Sequence, residues 1–260
     1  MTVRTVTSLT NPTVKAVRAL HQRKDRQESG LFLVEGLRSI SEAVDLGRRP
    51  KILLHAAAAH DTPRLRQASG AAVETLQVSE AILAKVSRKD NPQMVLAVFE
   101  QATTPLAGLD PASASCFVGL EAVRDPGNLG TIVRTADAAG CGAVILIGDC
   151  CDPFSVEAVR ATMGSIFAVP LVQTTREAFL TWRRGWPGAV SGALLSAQID
   201  YRAAPYRAPN LLLMGNEQAG LTPELAAACD LAVKIPMRGR ADSLNLAVAT
   251  ALMIYATLDR

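Results

Sequence analysis

Residues 211–256, LLLMGNEQAGLTPELAAACDLAVKIPMRGRADSLNLAVATALMIYA, decide how this chain folds. Two short apolar runs, 211–214 and 231–235, have the continuous aliphatic character of strands covered on both faces, as in a parallel sheet. Each is followed by a loop of polar and small residues, 215–220 after the first and 236–243 after the second. Each loop leads into a helix. Thr222-Pro223-Glu224 is a start signal, Thr as N-cap and Pro at the first helical position. Asp242-Ser243 is expected to cap the second helix, which runs on through Leu244-Asn245-Leu246. In an open α/β sheet, ligands bind outside the carboxyl ends of the strands, so two unusual loops at two such ends point to one pocket.

The 260 residues favour two domains. Nearly half are apolar but only 4% are aromatic, so the core must be aliphatic. Residues 1–105 carry fifteen Lys and Arg against ten Asp and Glu, whereas 106–260 carry twelve against fourteen. The basic excess lies in the first part, where a polyanion can be met, or where a solvated surface simply uses Arg. The five cysteines (116, 141, 150, 151 and 229) form no CxxC pair, and an odd count in a chain this long points to reduced, buried thiols in a cytoplasmic protein. The three His, at 21, 55 and 60, are far from the cysteines in sequence, so no metal site is expected. The first residues have no apolar segment of a signal peptide, and no run reaches the roughly 20 residues of a membrane span.

In chain order, Lys15, Arg18, His21, Arg23, Lys24 and Arg26 lie on or just after a short helical pattern at 14–20, a face for phosphate contact or a solvated helix. A strand with a turn follows at 31–36. Residues 37–47 pattern as a helix with Ile40, Ala43, Val44 and Leu46 inward. Strands at 51–55, 73–78 and 94–99 alternate with helices at 63–69 and 79–87, which makes residues 1–100 a small α/β domain. Residues 101–114, rich in Pro and small residues, read as a linker. The domain at 115–260 then repeats strand and helix, with strands at 116–120, 143–147, 168–172 and 189–195 and helices at 131–139, 155–163 and 176–184. Trp182 and Trp186 suit packing or a dimer contact.

A third polar loop, 121–130, follows the strand at 116–120. Gly127 and Gly130 allow a tight turn or close ligand approach, and Asn128 is a candidate helix cap. Arg134 has mostly apolar neighbours, and its guanidinium suits a phosphate or a developing oxyanion. Neither GxGxxG nor GxxxxGK[ST] occurs, which disfavours a dinucleotide enzyme or a P-loop NTPase. No His occurs after residue 60, so a Ser-His-Asp triad has no candidate here. Group transfer from an already activated donor such as a charged sulfonium fits what is left, since positioning does most of the work there.

Three segments of the chain resemble the three motifs of the SpoU/TrmH branch of the SPOUT RNA 2′-O-ribose methyltransferases: residues 125–136, DPGNLGTIVRTA; residues 213–221, LMGNEQAGL; and IPM at 235–237 running through DSLNLAVA at 242–249. They stand in family order over about 145 residues. The segments 7–12 and 32–36 are similar to the start of the L30e-like substrate-binding domain of many members. The resemblance implies a parallel-sheet α/β-knot domain whose C-terminal segment threads a trefoil knot, preceded by a small α/β L30e-like domain. It implies S-adenosylmethionine bound largely by backbone groups at Gly215, Ile235 and Leu244, with Asn216 and Met237 beside them. Arg134 takes the place of the family's catalytic Arg, Asn128 that of the first-motif Asn, and Ser243 and Asn245 those of the third motif; Glu217 is expected to organise its loop rather than act as a base. Members are homodimers. Here the third loop differs from members with a single acidic or small residue: it holds Arg238-Gly239-Arg240, which either grip RNA phosphate or decorate the loop.

The expected activity is therefore RNA 2′-O-methylation. Ribosomal RNA is preferred to transfer RNA, because the extra basic domain suits a large, structured substrate. A non-catalytic RNA-binding or assembly protein is the alternative from a different class.

Overall fold

Three of the first helices begin with a short polar side chain that covers exposed backbone amides. Asn11, Thr62 and Ser79 each accept a hydrogen bond from the turn they start. The computed structural model describes residues 3–258. It divides into two units, one running up to Gln101 and taking in Asp152–Ala168, the other made of Ala102–Cys151 and the chain from Val169 onward. No helix among the described residues is long and apolar enough to cross a membrane.

The first unit runs β1 (Arg4–Val6), α1 (Pro12–Ala19), α2 (Arg23–Ser29), β2 (Leu31–Glu35), α3 (Leu37–Asp45), β3 (Ile52–Ala56), α4 (Pro63–Ala71), β4 (Glu74–Val78), α5 (Glu80–Ser87) and β5 (Val95–Glu100). Its sheet order is β1-β4-β3-β5-β2; β1, β4 and β3 are parallel, and β5 is antiparallel to both its neighbours. The sequence shows neither β1, only three residues long, nor α2, whose single buried side chain is Arg26. Without an apolar stripe, α2 has no helical period to read. On α3, Ile40 and Ala43 are buried as expected, but Leu46 stands exposed just past the helix end.

The second unit runs β6 (Cys116–Glu121), α6 (Pro126–Ala138) and β7 (Val144–Ile147), then, after the excursion to the first unit, β8 (Leu171–Thr174), α8 (Arg176–Arg183), β9 (Ala189–Ala193), β10 (Ile199–Asp200), β11 (Asn210–Met214), α9 (Pro223–Ala227), β12 (Leu231–Lys234) and α10 (Leu246–Leu258). Its strands lie in the order β10-β12-β9-β11-β6-β7-β8, every pair parallel. Burial on both faces explains the continuous apolar runs of β6, β7 and β11, which have no exposed position. Phe117, Phe179 and Trp186 fill one side of the core with Ile145, Val172 and Leu213. Trp186 meets Phe117 edge to face at 5.0 Å, and its indole donates to the Pro209 carbonyl at 3.2 Å; Trp182 lies 5.3 Å from Trp186, so both pack within the unit.

Two expected elements shift. The strand expected at 168–172 is preceded by a 3-10 turn, Ser165–Phe167, and begins at Leu171. The helix expected at 131–139 begins earlier, at Pro126, because Asp125 is its cap: it accepts from the Asn128 amide at 2.6 Å, so Asn128 does not cap.

Between β7 and β8 the chain supplies α7 (Val156–Thr162) to the first unit, whereas the sequence reading kept 115–260 together. Phe154 and Phe167 pack on Phe32, and Val156 joins the core of Leu33, Leu54 and Leu83. Two charged contacts fasten the segment. Buried Arg26 donates to Asp152 Oδ2 from Nε and Nη2, at 2.8 and 2.6 Å, and to the Leu20 carbonyl at 2.7 Å. Buried Glu35 accepts from Lys89 Nζ at 2.9 Å and Arg160 Nη2 at 3.0 Å. His21 bonds to the Val86 carbonyl at 2.7 Å. Two of the six basic N-terminal residues are thus structural, and Lys15, Arg18, Arg23 and Lys24 keep exposed side chains.

Removing one partner of a buried ion pair strands the other charge. Arg26→Ala should therefore lower the free energy of unfolding by about 3 kcal/mol. Lys24→Ala, which breaks only the exposed 3.7 Å pair with Glu28, should change it by less than ~0.5 kcal/mol. Urea unfolding of the two variants checks the contrast, and equal effects would contradict it.

Candidate active site

The three loops meet through side chains. The first begins where β6 ends, at Glu121. Arg124 and Asp125 present consecutive backbone amides to the Glu217 carboxylate, each at 3.3 Å. Asn128, in the first turn of α6, donates from Nδ2 to Glu217 Oε1 at 3.3 Å and accepts at Oδ1 from Asn245 Nδ2 at 2.8 Å. One continuous chain of hydrogen bonds, Glu217–Asn128–Asn245, therefore joins the first, second and third loops.

The second loop is closed on itself. Asn216 and Gly220 exchange backbone hydrogen bonds at 3.1 and 3.0 Å, and Asn216 Oδ1 accepts from the amides of Gln218 and Ala219 at 2.9 and 3.1 Å. This tight closure explains Gly215: a Cβ there would overlap the carbonyl carbon of Gly220 and the nitrogen of Leu221. Asn216 Nδ2 also donates to Glu217 Oε2 at 3.3 Å.

Glu217 titrates below the usual range for a glutamate. Partial burial pushes its pKa up, but hydrogen bonds from its own amide, Asn128 and the amides of Asp125 and Arg124 outweigh that and stabilise the charged form. An ionised carboxylate so occupied organises its surroundings and is a poor proton acceptor.

In the third loop, Ile235, Pro236 and Met237 are half-buried, and residues 238–245 are exposed. Among the described residues, no backbone–backbone hydrogen bond is made by an amide of 235–245. The loop ends at Asn245, whose Oδ1 accepts from the amides of Ala247 at 2.9 Å and Val248 at 3.3 Å. Asn245 is therefore the cap of α10, not Asp242 or Ser243, and the helix begins at Leu246 rather than at Leu244. Ser243 bonds to Asp242 at 3.3 Å and takes no part in the Glu217 network.

Arg134 sits in the third turn of α6, further along than a helix starting at 131 would put it. Its side chain is exposed, and no hydrogen bond or ion pair is drawn to it within the described residues. Arg238 and Arg240 are also exposed. Cys116, Cys141 and Cys150 are buried, and Cys151 and Cys229 partly so. No group of three His, Cys, Asp or Glu placed to hold a metal occurs among the described residues.

Two residues at this site escaped the sequence reading. Asp125 was legible, since Asp-Pro is the cap and first-turn signature that Thr222-Pro223 also shows. Glu121, at the end of an otherwise apolar strand, carried no pattern beyond its charge.

A parallel α/β unit with three interlinked loops at strand ends, preceded by a smaller α/β unit, defines a class that the comparisons identify. The SpoU rRNA Methylase family model matches residues 115–255, and an MRM3-like substrate binding domain model matches residues 11–97. The chain belongs to the SpoU rRNA Methylase family. It is 32% identical to the 23S rRNA (guanosine(2553)-2′-O)-methyltransferase RlmP of Bacillus subtilis, over 96% of this chain and 97% of that protein. It is 33% identical to a 23S rRNA (uridine(2479)-2′-O)-methyltransferase of Streptomyces viridochromogenes, over 91% of this chain and 85% of that one. The crystal structure of an AdoMet-bound rRNA methyltransferase from Sinorhizobium meliloti matches with a TM-score of 0.92 and 46% identity, covering 99% of this chain and 98% of that one.

The lowered pKa of Glu217 has a signed consequence. Its charge-dependent contribution to stability is complete above the ordinary glutamate range and is lost as pH falls through the depressed folded value. The melting-temperature advantage of the wild type over Glu217→Gln should therefore shrink between about pH 7 and about pH 3. A gap that stays constant across that range would contradict the assignment.

Proposed function

We propose that this protein transfers a methyl group from S-adenosylmethionine to a ribose 2′-hydroxyl of ribosomal RNA, and that it works as a homodimer. The observation that carries the reading is the Glu217–Asn128–Asn245 chain, which draws the three loops together. The two relatives named for 2′-O-methylation act on 23S rRNA and match along most of this chain, which supports the same RNA class here. They differ in the nucleoside named, guanosine in one and uridine in the other, so the target nucleotide does not carry over.

The residues at the second and third loops fit the cofactor. Among the described residues, the amides of 235 and 237–245 are not engaged by other backbone groups, and Ile235, Pro236 and Met237 offer half-buried apolar surface beside them. Free backbone donors next to aliphatic side chains suit an adenosine, whose ring edge takes hydrogen bonds and whose faces are apolar. Gly215, Asn216, Ile235, Met237 and Leu244 are the proposed cofactor residues. Bound S-adenosylmethionine supplies a methyl group on a positively charged sulfur, already activated for displacement.

A ribose hydroxyl is a weak nucleophile at neutral pH and needs its developing negative charge stabilised. Arg134, exposed on α6, is proposed for that task; its guanidinium offers several donors to the 2′ oxygen. Asn128 and Asn245 fix the loops around it, Glu217 holds Asn128, and Ser243 is the further polar group of the third loop. Lys15, Arg18, Arg23 and Lys24 of the first unit, with Arg238 and Arg240 of the third loop, are proposed to contact RNA phosphates. The buried thiols of Cys116, Cys141 and Cys150 suit a cytoplasmic enzyme.

The dimer reading rests on α10. The helix, LAVATALMIYATL, has no charged residue. A helix apolar all round needs cover on every side. Yet Val248, Leu252 and Tyr255, in line with Leu244 just before the helix, are exposed by 50, 37, 49 and 39% respectively. A second copy that presents the same stripe would bury it.

Arg134→Ala should lower kcat at least about a hundredfold, roughly 2.7 kcal/mol of barrier, while cofactor binding is kept. Activity within about threefold of wild type would remove Arg134 from the chemistry. For the dimer, light scattering should give twice 27.5 kDa for the wild type and 27.5 kDa for Leu252→Glu. A monomeric wild type would contradict that part of the reading.

A further inference from the structure

We propose that Glu121, the last residue of β6, and Ala122 just after it are a positioning clamp that presets the 215–222 loop for S-adenosylmethionine; this rests on the cofactor reading above. Glu121 is buried, with 2% of its surface exposed, and both of its carboxylate oxygens are used. Oε2 accepts from the Thr222 amide at 2.8 Å, and Oε1 accepts from Thr222 Oγ1 at 2.9 Å and from Arg176 Nε at 3.0 Å. The guanidinium of Arg176, at the head of α8, supplies the countercharge a buried carboxylate needs. Ala122 holds the other end of the loop: its carbonyl accepts from Asn216 Nδ2 at 2.8 Å. The loop is thus gripped at residue 216 and at residue 222 from one strand end.

Two features set the clamp apart from ordinary buried packing. Thr222 stands at the N-cap of α9, where its hydroxyl would usually accept from the first turn, but it caps nothing and donates to Glu121 instead. The helix forgoes a cap so that the loop is held. Ala122 has φ of 50°, a left-handed conformation that a residue with a side chain seldom adopts. Its amide is held by the Ile147 carbonyl at 3.0 Å, and the carbonyl of the same residue reaches Asn216. Strain of this kind persists where the surroundings fix it, and it collects at sites that must be preorganised.

The role is positioning, since both residues act through the loop they hold, and the test reads cofactor affinity apart from turnover and stability. Calorimetric titration of S-adenosylmethionine into the full-length chain would compare wild type, Glu121→Gln, Thr222→Val and Thr222→Ser, each with its melting temperature and its kcat at saturating cofactor. The clamp predicts at least about a tenfold rise in Kd for Glu121→Gln and for Thr222→Val, with kcat within about threefold, and recovery of affinity in Thr222→Ser, which keeps the hydroxyl. The double variant Glu121→Gln/Thr222→Val should raise Kd by less than the product of the two single effects, because both weaken the same Glu121–Thr222 junction. If Glu121→Gln fails to fold, Thr222→Val and Thr222→Ser carry the comparison. Lowered melting temperatures with Kd within about twofold of wild type would overturn the clamp and leave Glu121 a stability residue. A wild type that does not bind the cofactor would remove the cofactor reading, and the clamp's purpose with it.

Discussion

The Glu217 carboxylate accepts from two consecutive backbone amides and from the side chains of Asn128 and Asn216, and through Asn128 it reaches Asn245 at the head of α10. Loops at strand ends carry backbone groups that no sheet partner satisfies, and each left bare and buried costs about as much as a lost hydrogen bond. A single anion draws the first two loops together directly and reaches the third through Asn128. Because Asn245 also caps α10, the position of the last helix and the shape of the first loop are set by the same pair of side chains. Neutral amides between an anion and a helix start transmit geometry without adding a second charge.

The Asp152–Ala168 segment shows a different use of charge. It is flanked in sequence by β7 and β8 of the second unit, yet Arg26, Lys89 and Arg160 engage Asp152 or Glu35 within the first unit. Directional pairs of this kind specify which surface α7 takes, and the aromatic contacts of Phe32 with Phe154 and Phe167 supply the burial. The basic character of the N-terminal helices therefore divides. Arg26 is spent on structure, whereas Lys15, Arg18 and Arg23 remain on the surface.

The parallel sheet was legible in the sequence because its strands are buried on both faces and read as unbroken apolar runs. The three polar loops were legible because such runs made them conspicuous. The resemblance of their residues to a family motif set then marked Asn128, Glu217 and Asn245 before any contact was visible, and the structure joins these three. What stayed hidden shares a cause. The α2 helix has no apolar stripe; Asn245 displaced Asp242 and Ser243 as the cap of α10, a choice among adjacent polar residues that local propensity cannot rank. Glu121 was silent because its partners, Thr222 and Arg176, are 101 and 55 positions away. Long-range pairing of single polar residues leaves no period to read.

The central claim is chemical, a methyl group placed on a ribose oxygen of ribosomal RNA. The most direct measurement is transfer of labelled methyl from S-adenosylmethionine to purified, unmodified ribosomal RNA, followed by alkaline digestion. Alkali cleaves RNA through the free 2′-hydroxyl and so spares the linkage after a 2′-O-methyl ribose. The account predicts label in alkali-resistant dinucleotides. Label found only in mononucleotides would place the methyl on a base and contradict it.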